Sequence, residues 1–521
     1  MTYTTLLYLL LFLPGVVIVY GLLPRKLRGW LLLAASALFF FQMSKKLIIY
    51  PAATALVTYL VGRWLNWRQA AGDARVQAGA DRKAERAKTK RATRIILWIG
   101  VGLLLGTLVF LKFCGVFTEL VNALGASLPV LKLAMPLGIS FYTLEAVSYL
   151  VDVYYKKIPA ERNFARMALF LTFFPTIMEG PICRYGEVAE PLWAGEPLQY
   201  KNVAFGAQRI LWGLFKKLVI ADRLNPLVKL AFENHAQYGG AMVVLAAMLY
   251  TFQLYNDFSG CIDMTIGTGE IFGVTLPENF RQPFFAKTPS EFWRRWHITL
   301  GAWFKDYIFY PLSLTGGIKK LGKSARKKLG KHYGQIAQTL VPLLAVWISN
   351  GVWHGVGKQY LFYGMYYFVL IVLGELIEPF VEKGTQHLGI SRQSWYWRIL
   401  QTVKMLAIIF TGEMFFNAAS LGVGVEMFVS IFTRSGASAL TGANLLSLGI
   451  DGLDYVVVAC GLVVVLLVGI AHEKGVSIRE KVAAMPIAAR WCIYLLCVLV
   501  VLIFGAYGTG YTEADLIYAG F

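Results

Sequence analysis

Residues 95–113 read IILWIGVGLLLGTLVFLKF, nineteen positions with a single charge, Lys112. A helix of about 20 apolar residues crosses the roughly 30 Å hydrocarbon layer of a bilayer. Similar runs recur at 5–23, 30–42, 47–62, 132–152, 203–222, 240–256, 337–352, 359–378, 400–418, 453–471 and 488–507. Two further apolar pieces, 164–178 and 298–312, are shorter or carry charges and read as re-entrant or interfacial. Of the 521 residues, 57% are hydrophobic and 15% charged, against about 25% charged in an ordinary soluble domain. No alternating strand pattern appears, and lipid admits only helices or closed barrels. The expected fold is an all-α integral membrane protein of about 11–12 transmembrane helices plus re-entrant helices, in one polytopic domain. The first run has no basic residue before it and Pro24-Arg25-Lys26 after it, so it reads as a span, not a cleaved signal.

The net charge of +20 lies in loops between spans, which reads as retention of those loops in the cytoplasm and not as nucleic-acid binding. Residues 63–94 hold ten Lys/Arg against Asp73, Asp81 and Glu85, behind Trp64 and Trp67. They read as a cytoplasmic basic interfacial segment. A second basic loop, Lys319 to Lys331, has seven Lys/Arg and no acid. Counting spans back from 63–94 puts the N-terminus outside and Arg25, Lys26 and Arg28 inside, although Lys45 and Lys46 then fall outside. Lys474, Arg479, Lys481 and Arg490 make 472–490 cytoplasmic, so the tail 508–521, with Glu513 and Asp515 but no Lys or Arg, is expected extracytoplasmic.

Residues 256–310 are too polar for lipid and too aromatic for a free loop. They read as a re-entrant block buried in protein or lining a cavity. His297 ends the run Phe292-Trp293-Arg294-Arg295-Trp296-His297. His354 lies in Asn350-Gly351-Val352-Trp353-His354-Gly355, a Gly-rich break between two apolar runs. An ionisable group at membrane depth is costly and marks a site by default. A neutral imidazole can take a proton from a hydroxyl as its oxygen attacks an acyl carbon. The same imidazole can instead be a structural donor to a carbonyl, and the residues alone leave both readings open. His235, His332, His387 and His472 lie in or near loops and read as solvated. The six cysteines show no disulfide or metal spacing, and no metal site is expected. Gly267, Gly269 and Gly273 follow no strand, so they read as close helix packing and not as a dinucleotide loop.

Several blocks together resemble the membrane-bound O-acyltransferase (MBOAT) family. They are Tyr255-Asn256-Asp257-Phe258-Ser259-Gly260-Cys261-Ile262-Asp263-Met264, Glu278-Asn279-Phe280, Pro289 to His297, and Trp303-Phe304-Lys305-Asp306-Tyr307. Gly351-Val352-Trp353-His354-Gly355 and, upstream, Glu179-Gly180-Pro181-Ile182-Cys183-Arg184-Tyr185 complete the match. The branch it resembles contains the alginate and peptidoglycan O-acetylation membrane proteins and the shorter teichoic-acid D-alanyl transfer protein. The resemblance implies a helical ring around a central tunnel, with His354 and His297 catalytic. Asp257, Asn279, Trp293, Arg294, Asp306, Asn350 and Trp353 would line it. It also implies acetyl-CoA as acyl donor with no tightly bound cofactor, an extracytoplasmic glycan as acceptor, and a secreted SGNH-type transferase as partner. The acetylating branch often ends in an aromatic-rich hexapeptide. Here Leu516-Ile517-Tyr518-Ala519-Gly520-Phe521 departs from it but keeps Tyr518, a possible acyl relay. D-alanyl transfer, a transporter and a scaffold for glycan export are the competing functions. A transporter would bring an inverted repeat, and none is visible.

Overall fold

The computed structural model describes residues 2–129, 133–434, 436 and 440–507, and among these the regular structure is helical. Among the described residues, seven helical stretches are long and apolar enough to cross a membrane: 25–77 (two helices joined by a short turn), 82–123, 316–354, 358–387, 395–417, 452–473 and 487–504. Several expected spans are shorter helices or parts of broken ones. Among the described residues the chain forms two compact units, one of 2–210 and Ile262–Pro277, the other of Leu211–Cys261 and 278–507.

In the first unit, the segment 63–94 is not a separate interfacial helix. Ile49–Gln77 runs on through Arg63, Arg68 and Arg75, and after a four-residue turn Arg82–Ala123 begins, capped by the Asp81 carboxylate accepting from the Ala84 N–H. The basic residues therefore lie on the ends of two long packed helices. Glu85 accepts from Arg75 at 3.0 Å, with Arg68 at 3.8 Å, and Gly72 lies against Thr89. Arg82–Ala123 is about 63 Å long at 1.5 Å per residue, twice the hydrocarbon thickness, so a charged first stretch and an apolar remainder fit one helix. Gly100 lets this helix approach its neighbours: a Cβ there would lie 2.7 Å from Val61 and 2.9 Å from Leu150. The run 132–152 becomes helical only from Ile139, after Gly138 at φ 73°, whose backbone touches the Ile177 carbonyl. Gly206 and Gly267 each sit against the other's carbonyl, the close packing that small residues permit between membrane helices.

In the second unit, Phe215–Ala221 is a π-helical segment between Tyr200–Leu214 and Asp222–Glu233. Such bulges frequently mark functional positions. The block 256–310 begins inside the continuous helix Gly240–Ile271. Beyond it the chain is broken into Pro283–Phe285, Pro289–Arg295, Ile298–Phe304, the π segment Lys305–Phe309 and Tyr310–Ser313. Gly316–His354 is two helices joined at Gly330 (φ 82°), and its second arm packs on Lys358–His387. Gly351 and Gly364 make that approach possible: a Cβ on Gly351 would lie 2.7 Å from the Tyr360 carbonyl, and Gly364 meets the Trp347 carbonyl. By contrast, Ile487–Phe504 buries little besides Val501, which suits a lipid-facing span.

Candidate active site

Both histidines singled out in the sequence belong to the second unit and are buried, His297 at 2% and His354 at 5% exposure. His354 is the last residue of its helix, released by Gly355. His297 precedes Ile298–Phe304 and adopts φ 47° and ψ 51°. That left-handed conformation is uncommon for a residue with a Cβ and signals a position held by its surroundings.

Asn279 is the device that holds it. Its carbonyl oxygen accepts from the Thr299 N–H at 3.1 Å and the Thr299 hydroxyl at 2.9 Å, and lies 3.2 Å from His297 Nδ1. Its backbone carbonyl accepts from the Ile298 N–H at 2.9 Å. A backbone N–H can only donate, so the Asn279 atom facing it is the oxygen, and His297 Nδ1 must carry the proton. The lone pair then lies on Nε2, the nitrogen that can act as a base or accept from a substrate.

Aromatic rings enclose both imidazoles. His297 has Phe258 at 4.9 Å and Trp353 at 5.6 Å between ring centroids. His354 has Trp353 at 4.9 Å, Phe416 at 5.0 Å and Tyr363 at 6.1 Å. The Tyr363 hydroxyl donates to the buried Glu413 at 2.7 Å. Trp293 packs on Trp347 and Tyr367, both at 5.0 Å, and on Tyr363 at 6.1 Å. Asn279, Asn350 and Trp353 are buried in this unit, whereas Arg294 and Asp306 are exposed.

Asp257, one residue before Phe258, is buried in an ionic cluster. Lys217 Nζ lies 2.7 Å from it and 2.8 Å from Asp222, and the adjacent Lys216 donates to Ser259 at 2.8 Å. The π-helical segment places these two successive lysines in the interior. Sequence reading missed Lys216, Lys217, Asp222 and Glu413. Charges inside the apolar runs 203–222 and 400–418 were the available signal.

In the first unit, the motif 179–185 is held by two glutamates. Glu145 accepts from the Cys183 N–H at 2.8 Å, and Glu161 accepts from the Tyr185 hydroxyl. Of the remaining histidines, His332 lies two residues past the Gly330 break, with Nε2 2.9 Å from the Glu375 carbonyl. Tyr518 lies outside the described residues.

The described residues thus combine helices long and apolar enough to span a membrane with two buried imidazoles walled in by aromatic rings. The model of the membrane-bound O-acyltransferase family matches residues 19–419, and the chain belongs to that family. It is therefore a multi-pass membrane O-acyltransferase. It is 30% identical over 469 residues to the probable alginate O-acetylase AlgI of Azotobacter vinelandii, covering 88% of this chain and 84% of that one. A peptidoglycan O-acetyltransferase of Helicobacter pylori is 32% identical over 298 residues, 52% of this chain and 53% of its own. A teichoic acid D-alanyltransferase of Bacillus subtilis is 29% identical over 253 residues, 47% of this chain and 60% of its own.

Proposed function

We propose that this protein takes an acetyl group from acetyl-CoA on the cytoplasmic side of a bacterial plasma membrane and delivers it outward for O-acetylation of an extracytoplasmic polysaccharide. A secreted SGNH-type transferase would complete the delivery. Support comes from the pairing of His297 and His354 on one indole, with His354 at the end of a helix long and apolar enough to span. His354 would take the proton of the attacking hydroxyl as its oxygen bonds to the thioester carbon. Collapse of the tetrahedral intermediate breaks the C–S bond, and the same proton passes from the imidazolium to the departing thiolate. His297, held by Asn279, would orient or polarise the reacting groups through Nε2.

Acetyl is favoured over D-alanyl because the similarity to the alginate O-acetylases runs over most of both chains, and that to the D-alanyltransferase over about half of this one. Both termini would lie outside. Tyr518 would receive the acyl group as a phenolic ester, whose phenolate leaves more readily than a sugar alkoxide, and pass it to the partner.

The experiment is transfer from labelled acetyl-CoA by purified His354→Ala protein in proteoliposomes. Loss of the base should cost about 10²–10⁴ in rate while folding is retained. A rate within a few-fold of wild type would remove His354 from the mechanism. Faster transfer from a D-alanyl carrier than from acetyl-CoA would replace the donor.

A further inference from the structure

The two basic segments differ in how their charge is balanced. In the first, Glu85 lies between Arg68 and Arg75, and Asp73 pairs with Lys156. In the second, the chain holds no acidic residue between Asp306 and Glu375. None of the seven cations from Lys319 to Lys331 forms an ion pair among the described residues.

These cations are nonetheless organised. Helix 316–329 turns back at Gly330 onto the arm that ends at His354. Gly322 against Gln338 and Gly334 against Arg326 bring the two arms into contact, and Arg326 donates to the Gln338 amide oxygen at 2.9 Å. The hairpin borders an open surface groove lined by the exposed side chains of Lys319, Lys323, Arg326 and Lys327, with Gln338. Solvent screens the repulsion among these exposed cations, and their shared groove presents several charged donors to one polyanion.

The same helix carries an apolar stripe, Ile318, Leu321, Ala325 and Leu329, with Leu321 and Leu329 at 44% and 60% exposure. At about 100° per residue, the groove cations centre on the order of 150° from that stripe. When the stripe rests on the membrane surface, the groove opens toward water. Gln338 and His354 share one arm, roughly 24 Å apart along its axis at 1.5 Å per residue.

We infer that the groove of hairpin 316–338 is a binding site for a cluster of phosphates. Two sources offer that chemistry: the phosphates of a soluble nucleotide-bearing thioester donor, and the headgroup of an anionic lipid. The orientation of the stripe favours the soluble source. That source rests on the acyl-transfer reading above, whereas phosphate binding itself does not.

The test uses the full chain in nanodiscs of phosphatidylcholine alone, titrated calorimetrically with inorganic pyrophosphate. One variant removes groove charge (Lys319→Gln, Lys323→Gln, Lys327→Gln). A second removes equal charge outside the groove (Lys320→Gln, Lys328→Gln, Lys331→Gln). Both lie at exposed positions, and thermal melting checks their folding. The expected result is pyrophosphate binding by wild type, weakened about tenfold or more by the first variant and less than about threefold by the second, since charge-assisted contacts depend on geometry. No pyrophosphate binding, but selective retention of phosphatidylglycerol that only the first variant loses, supports the site with the lipid as its source. Equal losses in the two variants would reduce the effect to net charge and overturn the site, as would the absence of both ligands. Binding is read without acyl transfer, so failure here is distinct from failure of His354→Ala.

Discussion

His297 and His354 both set their rings against the indole of Trp353, at 5.6 Å and 4.9 Å between centroids. The two imidazoles are thus neighbours through one side chain, although 57 positions separate them in sequence. Their supports differ: His297 is fixed by a hydrogen-bonded asparagine, while His354 ends a helix before Gly355. We expect His297→Asn, which can still hydrogen bond, to retain part of the transfer rate, and His354→Ala to lose about 10²–10⁴. Steady-state transfer by the two purified variants checks this. Equal losses would mean that the imidazoles act as one unit.

Asn279 sets the His297 tautomer and caps Thr299, so its role can be separated from that of the imidazole. Asn279→Ala should lower transfer by one to two orders of magnitude, short of the ~10²–10⁴ expected for the base itself. Asn279→Asp keeps an acceptor for Nδ1–H and for both Thr299 donors, and should recover much of that loss. If the two variants are equally impaired, the tautomer argument fails.

The sequence made the helical membrane class legible, because an apolar run as long as 95–113 matches the thickness of the hydrocarbon layer and exceeds what a soluble core strand or helix needs. His297, His354 and Asn279 were legible through the blocks that resemble the family. Helix ends were not. Residues 63–94 look like a surface helix because charge follows hydrophobicity, yet nothing in composition separates an interfacial helix from two long helices extending beyond the bilayer. The left-handed backbone of His297 and the pairing of Lys217 with Asp222 and Asp257 depend on packing between distant segments. Spacing along the chain does not encode that packing.

Lys217 sits between two buried carboxylates, so removing it strands both. Breaking a buried pair costs about 3–5 kcal/mol, whereas removing both partners can be nearly neutral. Lys217→Met should therefore lower thermal stability sharply in detergent. Adding Asp257→Asn should restore part of it, a non-additive result expected for groups in contact. Additive losses in melting temperature would show that the two charges are uncoupled.

Glu161 lies in the loop before Phe164–Thr172. Burial acts to raise its carboxyl, but the Tyr185 hydroxyl, the Asn163 and Arg162 N–H groups and the Arg166 guanidinium outweigh burial and hold it below its ordinary value. A lowered folded-state value favours the folded protein above the unfolded carboxylate range, near pH 4.3. That contribution fades as pH falls through the folded value. The stability difference between wild type and Glu161→Gln should be full at pH 6 and shrink below about pH 4. Melting temperatures across that range check it. A difference independent of pH would assign the effect to packing.

The root of the C-terminal tail is anchored even though Tyr518 lies outside the described residues. The Ala506 N–H donates to the Leu218 carbonyl at 2.8 Å, and Arg223, itself paired with Asp454, donates to the Phe504 carbonyl at 2.6 Å. Leu218 follows Lys217 in the π-helical segment, so Ala506 is tied to the element that holds Asp257 beside Phe258 and, through that ring, His297. Tyr518→Phe keeps the apolar ring for docking a partner and removes only the hydroxyl. If Tyr518 is the relay, this variant should still hydrolyse acetyl-CoA in detergent but should deliver no acetyl to polysaccharide in cells. Normal polysaccharide acetylation would reduce Tyr518 to a docking residue. A cysteine added after Phe521 should also react with an impermeant maleimide in intact cells, because the tail is expected outside. Protection from the reagent would put the tail in the cytoplasm and exclude the relay altogether.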